Sequence, residues 1–300
     1  KLRVPHTPEY IDWLLENMPA DSRIGCDGTL FSVKQIRRIV QALYSKNIEL
    51  DHRIDLFTDV WADRPALPQA AAFELSSELT GESRINKLKR LRREMQAQDV
   101  GYHLVSDLAD IAWILNIRSA DIDFNPVVIS YLLIGPQLVH LFVKTAKIEE
   151  ALQASLRADG VVVKPYEEVK SFVKQLDSTQ RVMLDPKATS IDLYRAFSEE
   201  QVVRATNPSV LMRSIKNDTE IAYIKEAMQK DGVALTRLYR WIDQELQQRP
   251  IPEVEVAEKL ASLRAAQGDY HSESFPAIVG YAGNGAIVHY RPMPESCADL

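Results

Sequence analysis

The sequence predicts an α/β protein of more than one domain, on three observations. Its 300 residues exceed what one ordinary compact core holds. Between about 80 and 207, helical and strand-like periodicities alternate, as they do when helices pack on a mixed sheet. Beyond 208 the alternation gives way to long helical periodicity, broken by Pro250 and Pro252. No internal repeat is visible.

Local chemistry justifies each element in turn. Thr7-Pro8-Glu9 starts a helix with a hydroxyl cap, Pro at the first helical position and an acid in the first turn. Ile11, Leu14 and Leu15 then supply an apolar stripe. Arg23-Ile24-Gly25-Cys26 reads as a short strand closed by Asp27-Gly28, and Val33, Ile36, Val40 and Leu43 share one face of a second helix. Asp63-Arg64-Pro65 and Pro68 mark a linker, because a residue before Pro is driven out of helical geometry. A helix over 84–98 follows, carrying Arg84, Lys87, Lys89, Arg90, Arg92 and Arg93. Ile85, Leu88, Leu91 and Met95 thread through it at helical spacing, so the basic residues are expected on its wet face. His103-Leu104-Val105 reads as a strand and 111–113 as a turn of helix. Strands at 127–134 and 138–143 flank Gly135-Pro136. A helix at 147–157, a strand at 161–163, a helix at 167–175 and a strand at 182–184 complete the second region. In the third, Asn217-Asp218-Thr219-Glu220 has the form of a capping box ahead of a long helix with Ile221, Ile224, Met228, Leu235 and Leu238. A shorter helix spans 253–264. Between 275 and 290, apolar segments flank the Gly-rich stretch 280–285, which predicts two strands and a turn.

Composition narrows the function classes. Hydrophobic residues make up 46% and charged residues 26%, ordinary values for a globular chain. A net charge of −6 argues against nucleic acid or an anionic membrane as partner. The longest apolar run, 126–135, falls well short of the roughly 18 residues that cross a bilayer. The 2 cysteines, Cys26 and Cys297, form no CxxC pair, so no disulfide framework or zinc finger is indicated and a cytoplasmic setting is expected. The chain opens at Lys1 with neither an initiator Met nor a signal-peptide pattern, and its natural start is expected upstream.

The catalytic short list is thin. No GxSxG, Walker loop, HExxH or GxGxxG in strand–helix context appears. The glycines of 280–285 precede a strand-like segment, whereas a phosphate cradle needs a helix start there. His6, His52 and His140 read as surface or partly buried groups. Asp107 with Asp110, and Asp121 with Asp123, pair carboxylates, but without a histidine or third acid nearby they read as turn formers and helix caps. His289 stands apart, among apolar residues just after Asn284-Gly285. Spacing alone leaves it open between a satisfied core histidine and a proton-transfer group.

Four stretches resemble the three-domain Xaa-Pro aminopeptidases of the creatinase/prolidase superfamily. Val60-Trp61-Ala62-Asp63-Arg64-Pro65 is similar to the segment joining the family's first two domains. Asp110 to Arg118 with Trp113 and Asn116, followed by Asn125-Pro126, is similar to the signature of the second domain, with Ser119 where the family usually has Gly. Arg213-Ser-Ile-Lys216-Asn217 leading to Glu220 resembles the opening of the "pita-bread" domain. Phe275-Pro276 and the run from Asn284 to Tyr290 resemble that domain's first strands.

The resemblance implies a fold and an activity. It implies a partial creatinase-like α/β domain at 1–73, a complete one at 74–207, and the start of a pita-bread α+β domain at 208–300. The activity is removal of an N-terminal residue when proline follows it, with two divalent ions, commonly Mn2+. His289 matches the family's catalytic histidine beside the scissile peptide, and Phe275 a wall of the pocket for the substrate's first side chain. In the family two Asp, one His and two Glu ligate the metals, and all lie downstream of the His289 motif. This chain by itself is therefore expected to bind no catalytic metal and to lack peptidase activity. Peptides with penultimate proline are the expected partners, in a cytoplasmic homodimer. Prolidase, with one domain before the pita-bread domain, is the nearer rival, and a non-catalytic peptide- or protein-binding module of the same architecture is the more distant one.

Overall fold

The computed structural model describes residues 9–300; His6 and the Thr7-Pro8 helix start lie outside them. The described chain forms two compact units. One comprises the chain up to Ser76 with Glu82–Asp121 and Val127–Ile215; the other comprises Ser77–Gly81, Ile122–Pro126 and Lys216–Leu300.

The first unit opens with α1 (Glu9–Asn17), β1 (Arg23–Gly25), α2 (Val33–Leu43) and β2 (Glu49–Asp51). β1 and β2 pair in parallel. Ser32 and Gln35 form a capping box at the start of α2, each side chain accepting from the other's backbone N–H. Val33, Ile36 and Leu43 point inward as the periodicity predicts, but Ile39 replaces Val40, which is 45% exposed. At about 100° per residue, Ile39 and Val40 flank the direction shared by Ile36 and Leu43 by about equal angles, so helical spacing does not choose between them and the packing does.

The chain continues through β3 (Phe73–Glu74), α3 (Ser77–Thr80), α4 (Arg84–Ala97), β4 (Tyr102–Val105), α5 (Leu108–Leu115) and β5 (Ile117–Arg118). β6 (Ser130–Ile134), β7 (Val139–Val143), α6 (Glu150–Ala158), β8 (Val161–Pro165) and α7 (Val169–Val173) follow. The unit ends with β9 (Val182–Leu184), α8 (Ile191–Tyr194), β10 (Val202–Arg204) and α9 (Pro208–Ser214). Six strands form one sheet in the order β10-β9-β4-β6-β7-β8. β6 runs antiparallel to β4 and β7, and the remaining pairs are parallel, so the sheet is mixed. β3 and β5 pair separately. β6 begins at Ser130 rather than Val127; Val127 and Val128 are buried but lie outside the ladder.

Strand side chains alternate between faces, and both faces of this sheet are buried. Leu104, Leu133, Phe142, Val182 and Leu184 join α1, α2, α7 and α8 in one core. Val105, Leu132, Ile134, Leu141, Val143 and Met183 join α4, α5 and α6 in the other. Each fully buried side chain of this size contributes about 1.5–3 kcal/mol.

The basic helix α4 departs from its expected wet face. Arg84 and Lys87 are buried, while Ile85 is 40% exposed. The cause is a set of partners that converge on the two cations. Arg84 pairs with Glu74 and Asp159. Lys87 Nζ donates to Trp113 O at 2.9 Å and Asn116 Oδ1 at 2.6 Å, and lies 4.4 Å from the Trp113 ring centroid. A second buried ion pair joins Lys147 to Asp121, whose carboxylate also accepts from Ile129 N at 2.7 Å and Ser119 Oγ at 3.0 Å.

In the second unit α3 packs with α10 (Asp218–Glu245), and α10 with α11 (Glu253–Ala265). The predicted capping box is present at α10, and Asn217 Nδ2 also donates to Thr80 O at 2.9 Å. Gly81, at φ 69, admits that approach; a Cβ there would stand 2.4 Å from Asn217 Oδ1. Leu238, Ile251, Val256 and Leu260 form a small core. The two strands predicted between 275 and 290 do not form. A 3-10 turn at Ala282–Ala286 sits in irregular chain, because no described residue of this unit offers a ladder to pair with.

Two predictions follow from buried polar groups. His103 on β4 is fully buried; its Nδ1 lies 3.1 Å from Met183 O and its Nε2 has no partner among the described residues. Burial pulls its pKa down to about 4, against the opposing pull of Met183 O and Asp185. The folded protein therefore resists a proton that the unfolded chain accepts near 6.5. Stability should be indifferent to this group above pH 6.5 and fall by roughly 3 kcal/mol as the pH drops towards 4. Urea unfolding across that window tests this, and a slope no steeper than that of His103→Phe would refute it. Separately, Asp121→Asn should cost about 3–5 kcal/mol by stranding the Lys147 charge, and Asp121→Asn with Lys147→Met should recover most of the loss. Equal stabilities of single and double variants would contradict this.

Candidate active site

Pro250 and Pro252 part α10 from α11 and put Glu253 at the first helical position, where a carboxylate suits the helix dipole. Its side chain does not reach solvent. Oε1 accepts from Tyr281 N at 2.5 Å and Asn284 Nδ2 at 3.2 Å. Oε2 accepts from Asn284 Nδ2 at 3.0 Å, Tyr290 Oη at 2.6 Å and Ala298 N at 3.0 Å. Burial alone would raise this carboxyl, but hydrogen bonds from Tyr290, the backbone of Tyr281 and Ala298, and Asn284 outweigh it and hold the pKa at about 2. Tyr290, the other end of the shortest side-chain contact, is pushed up to about 12, first by that hydrogen bond and then by burial.

His289 stands on the segment so held. It is exposed, and its φ of 57° is left-handed. The next residue, Tyr290, is buried and donates its N–H to Ile287 O at 3.2 Å, which closes the turn. Phe275 is 57% exposed and lines a cleft of about 510 Å³ with Met228, Lys230, Arg264, Asp269 and Tyr270. Lys230 there is pushed up to about 12, by Glu226 and then Asp269. His289 is not among the residues lining that cleft.

Three of the four paired carboxylates hold structural contacts. Asp107 caps α5 by accepting from Asp110 N at 2.9 Å. Asp110 accepts from Arg213 Nε at 2.9 Å and Asn207 Nδ2 at 3.3 Å, and burial still lifts its pKa above the ordinary value. Asp121 is engaged by Lys147. Among the described residues no three His, Cys, Asp or Glu side chains stand close enough to hold a metal ion. This donor set does not fit a dinuclear metal centre.

Glu253 is invisible to motif reasoning. An acid after Pro252 reads as a helix-dipole complement, and its partners lie 28, 31, 37 and 45 positions away. The only local signal is that this acid falls at the first position after a double-Pro break.

Residues 63–220 match the Creatinase/Prolidase N-terminal domain, and residues 222–299 match metallopeptidase family M24. Over the whole chain, 33% of residues are identical to Xaa-Pro aminopeptidase 1 of Dictyostelium discoideum, of which the alignment covers 50%. A probable Xaa-Pro aminopeptidase P of Laccaria bicolor is 30% identical over 99% of this chain and 47% of its own length. The chain thus spans about half the length of these curated relatives. The crystal structure of a Caenorhabditis elegans X-prolyl aminopeptidase, described as a cytosolic enzyme with a di-nuclear active site, superposes with a TM-score of 0.85 at 27% identity. That likeness covers 92% of this chain and 46% of the worm protein. No described helix is long and apolar enough to cross a membrane. With the mixed sheet and its two helical layers, the matched segments establish that the chain belongs to the creatinase/prolidase family, with an N-terminal domain of that type leading into a segment that matches metallopeptidase family M24.

Proposed function

We propose that this chain is the front part of a metallo-aminopeptidase that removes the N-terminal residue from peptides with proline in second position. The observation that supports this is the likeness of the whole chain to half of an Xaa-Pro aminopeptidase of Dictyostelium discoideum. In this reading His289 hydrogen-bonds the scissile peptide and handles the proton needed by the leaving prolyl nitrogen. That nitrogen belongs to a tertiary amide and carries no hydrogen of its own. Phe275 forms an apolar wall for the first side chain. The worm relative's di-nuclear site supports two divalent ions, which we take to be Mn2+; by the family resemblance their ligands follow the His289 motif. The cytosolic description of the same relative supports a cytoplasmic protein, and we propose that it is a homodimer.

The test compares the full-length protein with the 300-residue chain. With Mn2+, the full-length protein should release alanine from an Ala-Pro peptide and leave the Ala-Ala counterpart intact. Equal cleavage of both would sink the assignment; binding without cleavage would favour a peptide-binding module. The chain alone should hold no stoichiometric Mn2+ by elemental analysis, and a content near two ions per chain would contradict the placement of the ligands. His289→Ala in the full-length protein should lower kcat by about 10²–10⁴. An unchanged rate would remove His289 from the chemistry.

A further inference from the structure

Glu253 is a buried carboxylate whose partners are all neutral donors from one stretch of chain. Burying an ion without a countercharge is costly, and a structure keeps it only when hydrogen bonds replace the lost water. Here they do so by drawing on both ends of one loop. Tyr281 N and Asn284 lie on the N-terminal side of His289, and Tyr290 and Ala298 N on its C-terminal side. Between those anchors His289 holds a left-handed backbone, a state unfavourable for a non-glycine residue that persists only where its surroundings enforce it.

We propose that Glu253 is a positioning residue for His289: its carboxylate grips Asn284 and Tyr290 together and so fixes the strained turn that presents the imidazole. Glu253 itself touches neither substrate nor imidazole. It acts through Tyr290, which closes the His289 turn onto Ile287 O, and through Asn284, whose carbonyl accepts from Ile287 N at 3.1 Å in the turn just before it. Removing the charge frees the loop to relax and leaves the imidazole intact but misdirected. The proposal rests on the reading of His289 as the catalytic histidine.

A double-mutant cycle in the full-length, Mn2+-loaded protein tests it. Glu253→Gln keeps the size of the side chain but leaves one acceptor oxygen for donors that now use two. It should lower kcat by about 10²-fold with little change in KM, the scale expected when a reacting group is misplaced by about an ångström. On a His289→Ala background the same change should cost nothing further, within about twofold, because a residue that acts only through His289 has nothing left to position. General structural damage would cost the same factor on both backgrounds. Such an equal loss, or an unaffected Glu253→Gln protein beside an impaired His289→Ala protein, overturns the positioning role alone. A fully active His289→Ala protein overturns the assignment of His289 and the proposal with it. If Glu253→Gln does not fold, Tyr290→Phe enters the same cycle, with an expected loss of about tenfold for one hydrogen bond to a charged group. In the 300-residue chain, the Tyr281 and Ala298 amides should be protected from hydrogen exchange and lose that protection in Glu253→Gln. Unprotected amides in the unsubstituted chain would show that the grip does not exist, whatever the activity.

Discussion

The first unit depends on the burial of its central sheet from both sides. Strands exposed on one face could alternate apolar with polar residues; the central strands β4, β6, β7 and β9 do not, because nearly all of their side chains meet a packed layer. The demand reaches far along the chain. The layer over Leu104, Leu133 and Phe142 includes α1 and α2, from the first 43 residues, so the N-terminal segment belongs to the core of the sheet that follows it. The opposite layer draws on α4, α5 and α6. Dense packing on both sides also explains why polar groups trapped there carry full sets of partners. Lys87 ties α4 to the end of α5, and the Lys147–Asp121 pair ties the start of β6 to the segment after β7. Not every such group is matched: His103 Nε2, His140 Nδ1, Asn207 Oδ1 and Ser209 Oγ are buried without a partner among the described residues.

The second unit is organised differently. Its apolar core is small, four buried side chains with a few partly buried neighbours. What orders the segment from Tyr281 to Ala298 is the carboxylate of Glu253, a polar centre where the first unit has an apolar one. Hydrogen bonds are directional, whereas apolar contact is not, so a carboxylate can dictate the path of irregular chain that has no ladder to follow. This suits His289, an exposed residue whose proposed role calls for a defined orientation rather than burial. In the proposed enzyme, rigidity around the imidazole and access to it are then supplied by different atoms.

Much of this architecture is legible in the sequence. The capping box at Asn217 is there because an Asn and a Glu three positions apart satisfy each other's neighbouring N–H groups without outside help. The strands at His103, Val161 and Val182 stand out because a sheet buried on both faces leaves unbroken apolar runs. The site is less legible. His289 and Phe275 stand out through a resemblance of motifs, while Glu253, which holds the loop, resembles any acid at a helix start. The strands expected around Asn284-Gly285 misread apolar residues as pairing ones, since an apolar run becomes a strand only when an edge is present to receive it.

The division between the two sources follows the range of the forces involved. Sequence by itself determined the order and type of most elements, the caps and breaks of the long helices, and the family, because those rest on neighbours within a turn or two. Only the tertiary structure decided that Arg84 and Lys87 turn inward, that Ile39 rather than Val40 faces the core, and that Glu253 grips residues up to 45 positions away. Such choices depend on which partners the fold brings within hydrogen-bonding distance. A buried charge is tolerated only where those partners converge.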